Sequence, residues 1–471
     1  MVNAYQNMDR GFNPLSKGAS MTSKPFATLC RFLSETDLSA LPPSVIDHAR
    51  QVLVDTLGVI IAGSGVPEVN RVADRLSPSC RKEEGVTCPG RAGGFEPLFA
   101  VLLNGIAGSS LEFEEGNSRA MGHPAIQLVP ALAADAEAGG LSGRDLLRGL
   151  VLGYETASRL SRASSMRKGL HPTGTWGVVG SALGVGCSRQ KGAEALEQIG
   201  NIAASYAFSP YVKNSFVGKN VASTFAGLVS QAALLANLFF ETGFRADEGC
   251  LEMTFSQFLS DRFDPQVLVA GLGDEYAITE NYFKPYPSCR FTHPALDALE
   301  EILQEKKIAP GEIARISVAT FKAAVHTASK PPDNVEAMRF SVPYLIAARL
   351  CRGPIDLRTM DHGIVRDPQV MELAGRVQML LSQEYEHLRP GRNPAKVTLH
   401  LKGGQEVTRE VMDCLGDPLK PMPREDLVAK FLDLAGPVIG KDRGKEFLER
   451  VQGLESVDNV RPLLRMLRPG A

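Results

Sequence analysis

The sequence lacks the spacings that mark metal sites and disulfide frameworks. Its eight cysteines include no CxxC or CxxH pair, and they stand at positions 30, 80, 88, 187, 250, 289, 351 and 414. Zinc sites need closely spaced Cys and His ligands, and disulfide frameworks are typical of short secreted chains, whereas this chain has 471 residues. We therefore expect reduced thiols, no metal ion and a cytoplasmic protein.

Other features are scarce as well. No G-x-S-x-G motif lies between a predicted strand and a helix, and the glycine-rich stretch 180–186 falls inside a helical pattern, where it indicates helix packing. The 51 basic and 53 acidic residues leave a net charge of −2, which argues against nucleic acid as a partner. No apolar run approaches the roughly 20 residues of a membrane span without a glycine or polar interruption, so we expect no membrane association.

Hydrophobic periodicity predicts a mainly α protein. Residues 1–25 are polar and rich in Gly, Ser and Asn, and we interpret them as a disordered leader. Apolar residues then recur at helical spacing over residues 26–281, which predicts a large all-α domain. At 471 residues the chain exceeds one ordinary core, so a second domain is expected.

The composition changes near residue 282. Residues 282–415 mix helical segments with alternating ones, and KVTLHL, Gly403-Gly404 and the segment 406–411 predict a hairpin. This part predicts a smaller α+β lid domain. Residues 416–471 are helical again, and we expect these C-terminal helices to return to the all-α domain and pack on it.

The stretch 104–137 carries the densest chemistry in the sequence. Glu112 begins an acidic cluster, and after a polar loop Gly122-His123-Pro124 opens an apolar helix. Because Pro is favoured at the first helical position, His123 is expected at or just before the helix start, beside unpaired backbone N–H groups. Carboxylates, an imidazole and a helix N-terminus so close together form a set that a site for an anionic substrate needs. The same pattern is equally typical of a solvated acidic loop followed by a poor helix cap.

Repetition favours a functional interpretation. His171-Pro172 and His293-Pro294 repeat the form of His123-Pro124, each before a helical pattern, and three His-Pro pairs exceed chance for 8 His and 30 Pro. A neutral His at a helix N-terminus can act as an acid or base near neutral pH.

Further candidates are weaker when each is taken alone. Lys213 and Lys219 precede an apolar helix, where two cations can bind carboxylates or remain solvated. Lys284 precedes Cys289 at the predicted domain junction, where clefts commonly form, although such a Cys is usually a small buried hydrophobe. Tyr344 begins a helix and carries a phenol that can donate a proton, or it is a half-buried core residue.

Five motifs follow one another along the chain: NGxxxxxLEFEE with GHPA, GLHPTGTWG, VKxxxxGK, KPYPSCRFTHPALDAL and RFSVPYLIAARL. In this order they resemble the MmgE/PrpD family over about residues 27–465. The resemblance implies an all-α domain with an α+β lid, a homodimer, no metal or organic cofactor, and a small di- or tricarboxylate bound between the domains.

The resemblance also implies site residues. The family's catalytic histidines match His123 and His171, its lysines match Lys213 and Lys284, and its tyrosine matches Tyr344. This chain departs from the family where Asp residues followed by Thr or Ser are usual, because it has Glu112, Glu114 and Glu115 followed by Gly116. Cys289 stands where decarboxylase-like members have His.

We predict a cofactor-independent lyase of the dehydratase or hydratase type, acting by proton abstraction next to a carboxylate. In this hypothesis His123 and His171 move protons, Tyr344 is a second proton donor, and Glu112 orients an imidazole or acts as base. Lys213, Lys284 and Cys289 contact the substrate. An epimerase, isomerase or decarboxylase of the same family is the alternative, and a non-catalytic dimeric binding module is an alternative of another class.

Overall fold

The structure, a computed structural model, describes residues 24–327 and 331–470. All but the end of the predicted leader 1–25 lies outside this part, and Pro25 already begins the first helix.

Helices dominate the described residues. The α-helices are α1 (Pro25–Glu35), α2 (Pro43–Gly63), α3 (Pro67–Cys80), α4 (Pro97–Ser109), α5 (Pro124–Gly139), α6 (Gly143–Ala163), α7 (Trp176–Ser188), α8 (Ala193–Ala204), α9 (Lys213–Phe216), α10 (Thr224–Glu241), α11 (Cys250–Met253), α12 (His293–Glu305), α13 (Lys322–Thr327), α14 (Val335–Met338), α15 (Val342–Arg352), α16 (Pro368–Ala374), α17 (Gln383–His387), α18 (Arg424–Ile439), α19 (Lys441–Gln452) and α20 (Arg461–Arg465).

Strands occur in both halves of the chain. They are β1 (Arg81–Lys82), β2 (Val86–Thr87), β3 (Gly94–Phe95), β4 (Gly116–Asn117), β5 (Ser164–Met166), β6 (Ser260–Phe263), β7 (Asn281–Tyr282), β8 (Ile313–Thr320), β9 (Val377–Leu381), β10 (Ala395–Leu401) and β11 (Glu406–Val411). They form a three-stranded sheet β1-β3-β2, the pairs β4-β7 and β5-β6, and a four-stranded sheet β11-β10-β8-β9 in which only β8 and β9 are parallel.

The prediction of a mainly α protein with an all-α first domain is therefore wrong. The structure is 58% helical and 11% strand, with several sheets, and is a helix-rich mixed α+β fold. The missed strands β1 to β7 are two to four residues long, too short to show an alternating pattern in sequence. They are held instead by pairing with distant segments, such as β4 with β7.

Small residues set the close packing of the central helices. A Cβ at Gly180 in α7 would lie 2.5 Å from Ala157 Cβ in α6, and one at Gly105 in α4 would lie 2.4 Å from Gly227 N in α10. These approaches confirm that the glycine-rich stretch 180–186 is a helix-packing surface, because only glycine lets two backbones come so near.

Two larger hydrophobic clusters organise the structure. The first lies among α1 to α8, α10 and the C-terminal helices, and Phe431 of α18 packs against Gly58 of α2. The second lies between α12, α15, α16 and the four-stranded sheet. The predicted hairpin is present, as β10 and β11. The boundaries 26–281, 282–415 and 416–471 stay predictions.

One segment, Asn220–Glu241, is long and apolar enough to cross a membrane by length and composition, and helices α2 and α3 pass the same test together, bent by 81°. In Asn220–Glu241, 44% of the apolar window is buried inside the protein. The core helix of a soluble protein satisfies the same criteria, so the absence of membrane association stays a prediction.

Candidate active site

A cavity of about 310 Å³ lies where the helical part of the chain meets the part that carries the four-stranded sheet. From the helical side it is lined by the loop between α4 and α5, by the loop before α7 and by residues between 212 and 223. From the sheet side it is lined by residues 289–291, the segment between α14 and α15, and two residues of the loop before β10.

The structure brings four of the seven predicted site residues to this cavity: Glu112, His123, His171 and Cys289. The other three do not line it. Lys213 has an exposed side chain at the start of α9, Lys284 is fully buried behind Glu112, and Tyr344 lies in the hydrophobic cluster of the sheet side. His293, the third residue of the repeated His-Pro form, is buried at the start of α12.

The acidic loop is fixed by the carboxylate of Glu115. This side chain is fully buried and accepts hydrogen bonds from Ala125 N–H at 2.9 Å, from the Tyr154 hydroxyl at 2.9 Å and from Asn281 Nδ2 at 3.3 Å. The bond to Ala125 satisfies an unpaired donor in the first turn of α5. Burial raises the pKa of Glu115 to about 7, although its three hydrogen bonds favour the charged form.

His123 occupies the N-cap position of α5, as the His-Pro pattern predicts. Its Nδ1 lies 2.7 Å from the carbonyl oxygen of Glu115. Because a carbonyl oxygen only accepts, Nδ1 carries the hydrogen in the neutral ring, and Nε2 is then the atom that can accept a proton.

His171 carries the hydrogen of its neutral ring on the other nitrogen. Its Nδ1 accepts a hydrogen bond from Thr173 N–H at 3.1 Å, so the hydrogen of the neutral ring is on Nε2. Burial, reinforced by the neighbouring His123, lowers the pKa of His171 to about 4. The cavity therefore holds one imidazole arranged to accept a proton and one arranged to donate a hydrogen bond.

Glu112 is held by a buried lysine. Lys284 Nζ donates to the carbonyl oxygen of Glu112 at 2.9 Å and to its Oε1 at 3.0 Å, and lies 3.8 Å from Glu114 Oε2. Burial favours a higher pKa for Glu112, but the Lys284 ion pair, with His123 and Arg339 nearby, lowers it below its usual value. Lys284 is thus neutralised by the chain's own carboxylates.

Glu112 also adopts a left-handed backbone conformation, with φ of 52°. This conformation is strained for a residue with a side chain and costs roughly 1–3 kcal/mol, so the ion pair must hold the loop against it.

Sequence reasoning missed two cations that line the cavity from the sheet side, Arg339 and Arg389. Arg339 Nη1 donates to the carbonyl oxygen of Ser110 at 2.7 Å. The Arg389 guanidinium lies 4.4 Å from the ring centre of Phe321 and 5.1 Å from that of Phe291, and Nη1 donates to Asn393. Within residues 24–327 and 331–470, no carboxylate oxygen lies within 4.0 Å of either guanidinium.

The two arginines differ in how far the sequence could have indicated them. Arg339 is the first residue of RFSVPYLIAARL, a motif that sequence reasoning singled out for Tyr344. Arg389 stands in a loop with no recognisable pattern. Lys219, which also lines the cavity, belongs to the pair named with Lys213.

Cys289 is a buried thiol at the cavity wall, 8% exposed. Burial, with Glu112 nearby, raises its pKa to about 12, so it stays protonated and is not a nucleophile at neutral pH. In the described part of the chain, no three His, Cys, Asp or Glu residues are grouped to hold a metal ion.

The raised pKa of Glu115 predicts a pH-dependent stability that Glu115→Gln removes. An unfolded Glu loses its proton near pH 4.3, whereas folded Glu115 keeps it to about pH 7, so the wild type loses stability as the pH rises through this interval. Relative to the wild type, Glu115→Gln should gain about 1–3 kcal/mol between pH 5 and pH 8, measured from unfolding midpoints. Glu83→Gln, on the exposed surface, is the matched control. A pH-independent difference for Glu115→Gln would contradict this prediction.

Comparison with known proteins agrees with this architecture. The family model of the MmgE/PrpD N-terminal domain matches residues 27–267, and that of the MmgE/PrpD C-terminal domain matches residues 286–456.

Curated relatives match along nearly the whole chain. A cis-aconitate decarboxylase of Aspergillus terreus is 24% identical over 93% of this chain and 95% of its own length. The cis-aconitate decarboxylase of Homo sapiens is 26% identical over 91% of both chains, and that of Mus musculus is 25% identical over 91% of this chain and 90% of its own. The resemblance and the prediction of an enzyme are thereby confirmed, and the chain belongs to the MmgE/PrpD family.

Proposed function

We propose that this enzyme is a lyase of the dehydratase or hydratase type acting on a small di- or tricarboxylate. The observation that carries this proposal is the pair of imidazoles with opposite hydrogen placement, His123 and His171, at one cavity. Dehydration next to a carboxylate needs a base for the α-proton and a donor for the departing hydroxyl, and the two rings can supply both.

In the proposed reaction, His123 Nε2 takes the proton from the carbon next to a carboxylate. The electron pair of the broken C–H bond moves into that carboxylate and then forms the new carbon–carbon double bond as the hydroxyl leaves. His171 Nε2–H donates a hydrogen bond to the departing oxygen, and the proton taken up by His123 passes to that oxygen, so that the hydroxyl leaves as water and His123 returns to its neutral form. Glu112, kept ionised by Lys284, places negative charge near His123 and so stabilises the imidazolium that forms.

Arg339 and Arg389 are the proposed carboxylate-binding residues. Both guanidiniums line the cavity without a carboxylate partner in the described part of the chain, whereas Lys284 is already bound to Glu112 and Glu114. A guanidinium can bind a carboxylate through two parallel hydrogen bonds, and Arg389 is held in place by two aromatic rings. This assignment replaces the hypothesis that Lys213 and Lys284 bind the substrate.

Decarboxylation is the second candidate, and the names of the curated relatives favour it. It requires a proton donor where CO₂ leaves but no base for an α-proton. The homodimer, the cytoplasmic location and the absence of a cofactor stay predictions.

Proton NMR in D₂O with a panel of small di- and tricarboxylates tests the proposed function. We expect loss or gain of a vinyl signal together with a change at the hydroxyl-bearing carbon, because dehydration and hydration interconvert these groups. Evolved CO₂ would instead establish the decarboxylase, and exchange of an α-proton without net product would point to the epimerase. Folded enzyme that is inactive on every acid in the panel would contradict the proposal.

His123→Ala and His171→Ala should each lower kcat roughly 10²–10⁴-fold, the usual cost of losing a proton-transfer group or a hydrogen-bond donor to a developing charge. Circular dichroism should show an unchanged fold, since each ring makes only one hydrogen bond to the described protein. His362→Ala is the matched control, because that ring is exposed and outside the cavity. Near-wild-type turnover in either folded variant would remove that residue from the mechanism.

Arg389→Gln should weaken binding of propane-1,2,3-tricarboxylate ~10- to 100-fold, as expected for one charge-assisted hydrogen-bonding group. Isothermal titration calorimetry measures this effect without turnover. Arg392→Gln is the matched control, because Arg392 belongs to the same loop but is paired with Asp413 outside the cavity. Equal affinities for the two variants would show that Arg389 does not bind the ligand.

A further inference from the structure

Tyr282 is a cavity residue that the mechanism above does not use. It lies in β7, directly opposite Gly116 of β4, and its side chain is buried at the cavity wall. The Arg290 guanidinium covers the ring at 4.7 Å from its centre, and the ring meets His123 nearly edge-on at 84°, with 6.4 Å between the ring centres. These contacts give the phenol one orientation beside the proposed base.

The Tyr282 hydroxyl occupies the space that a side chain at position 116 would need. A Cβ built on Gly116 would lie 2.3 Å from Tyr282 Oη and 2.9 Å from His123 Nδ1. The family resemblance leads one to expect Thr or Ser at this position, and the side chain of either would enter the volume that the phenol fills. Glycine at 116 therefore leaves room for a hydroxyl supplied by Tyr282.

The hydroxyl has no protein partner within the described ranges, 24–327 and 331–470. Two other buried tyrosines use theirs, since Tyr154 donates to Glu115 and Tyr385 to Glu410. Burial raises the pKa of Tyr282 well above its usual value, so the phenol keeps its proton at neutral pH. A buried O–H that faces a cavity and donates to nothing is costly unless a ligand accepts from it.

We propose that Tyr282 is a further catalytic residue, whose O–H donates a hydrogen bond to the substrate carboxylate as that group takes up negative charge. The inference rests on the proposed function. In this step the C–H bond breaks, the proton goes to His123 Nε2, and the electron pair spreads onto the carboxylate oxygens. Tyr282 keeps its proton and stabilises the oxyanion through its hydrogen bond.

The phenol thereby takes the place of the Tyr344 hydroxyl in the hypothesis drawn from the resemblance. Tyr344 lies in the hydrophobic cluster between α15 and the four-stranded sheet, away from the cavity lining. Tyr282 reaches the cavity because β7 pairs with the acidic loop itself.

Tyr282→Phe tests the proposal with the acid that shows turnover in the NMR panel. We expect kcat to fall roughly 10²–10³-fold, as when one oxyanion donor is removed, with KM changed less than about 3-fold. The rate of α-proton exchange in D₂O should fall by the same factor. The fold should be unaffected, because the hydroxyl makes no hydrogen bond to any residue that the structure describes.

Tyr206→Phe, on an exposed ring outside the cavity, is the matched control. A kcat for Tyr282→Phe within 3-fold of the wild type would overturn the role of Tyr282 and leave the proposed function standing. A large loss in Tyr344→Phe but not in Tyr282→Phe would likewise overturn it in favour of Tyr344. Wild-type enzyme that binds propane-1,2,3-tricarboxylate but turns over no acid would overturn the proposed function and the inference together.

Discussion

The ion pair between the buried Lys284 and Glu112 is the interaction on which the candidate active site depends. It joins the acidic loop to the segment that leads into the sheet side, and it holds Glu112 in a strained backbone conformation. A second buried lysine, Lys430 of α18, donates to the carbonyl oxygen of Phe113 at 3.0 Å and pairs with Asp55 of α2 at 2.7 Å. Removing one partner of such a pair leaves a buried charge and costs roughly 3–5 kcal/mol.

These two lysines explain why segments far apart in sequence must fold together before the site exists. The loop itself comes from the end of α4, whereas its cations come from the segment between β7 and α12 and from the C-terminal helices. The C-terminal segment therefore does more than cover the hydrophobic cluster. Its Lys430 supplies a cation to the loop that carries Glu112 and leads to His123.

The cavity divides its chemistry between its two walls. The helical wall carries the imidazoles and the carboxylates, and the sheet wall carries the guanidiniums of Arg339 and Arg389. If the two arginines bind a carboxylate as proposed, a change in the distance between these walls would alter how tightly it is bound. The hydrogen bonds of His123 and His171 would stay intact, because both lie within the helical wall.

The sequence predicted the local features well and the long-range ones poorly. His123 at the N-cap of α5 and the hairpin of β10 and β11 depend on neighbouring residues, and periodicity or Pro placement indicates them directly. The strands β4 and β7 were missed because two residues have no detectable period and are fixed only by their distant partner.

Charge partners posed a similar difficulty in the site. The resemblance placed the substrate-binding charges on lysines, and that assignment stays a prediction; a sequence does not show that Lys284 is paired with Glu112 and Glu114. Nor does it show that Arg389 has no carboxylate partner among the residues that the structure describes and is oriented by Phe291 and Phe321, because those contacts come from separate parts of the chain.

The contact between Gly116 and Tyr282 has an evolutionary consequence. Since the two positions share one volume, a single substitution that enlarges residue 116 must collide with the phenol, and one that shortens residue 282 leaves a hole beside His123. A hydroxyl-bearing side chain at position 116 in β4 can therefore replace the one at position 282 in β7 only if both residues change. We expect the pair to covary among relatives, with a small residue at one position accompanying a hydroxyl-bearing one at the other.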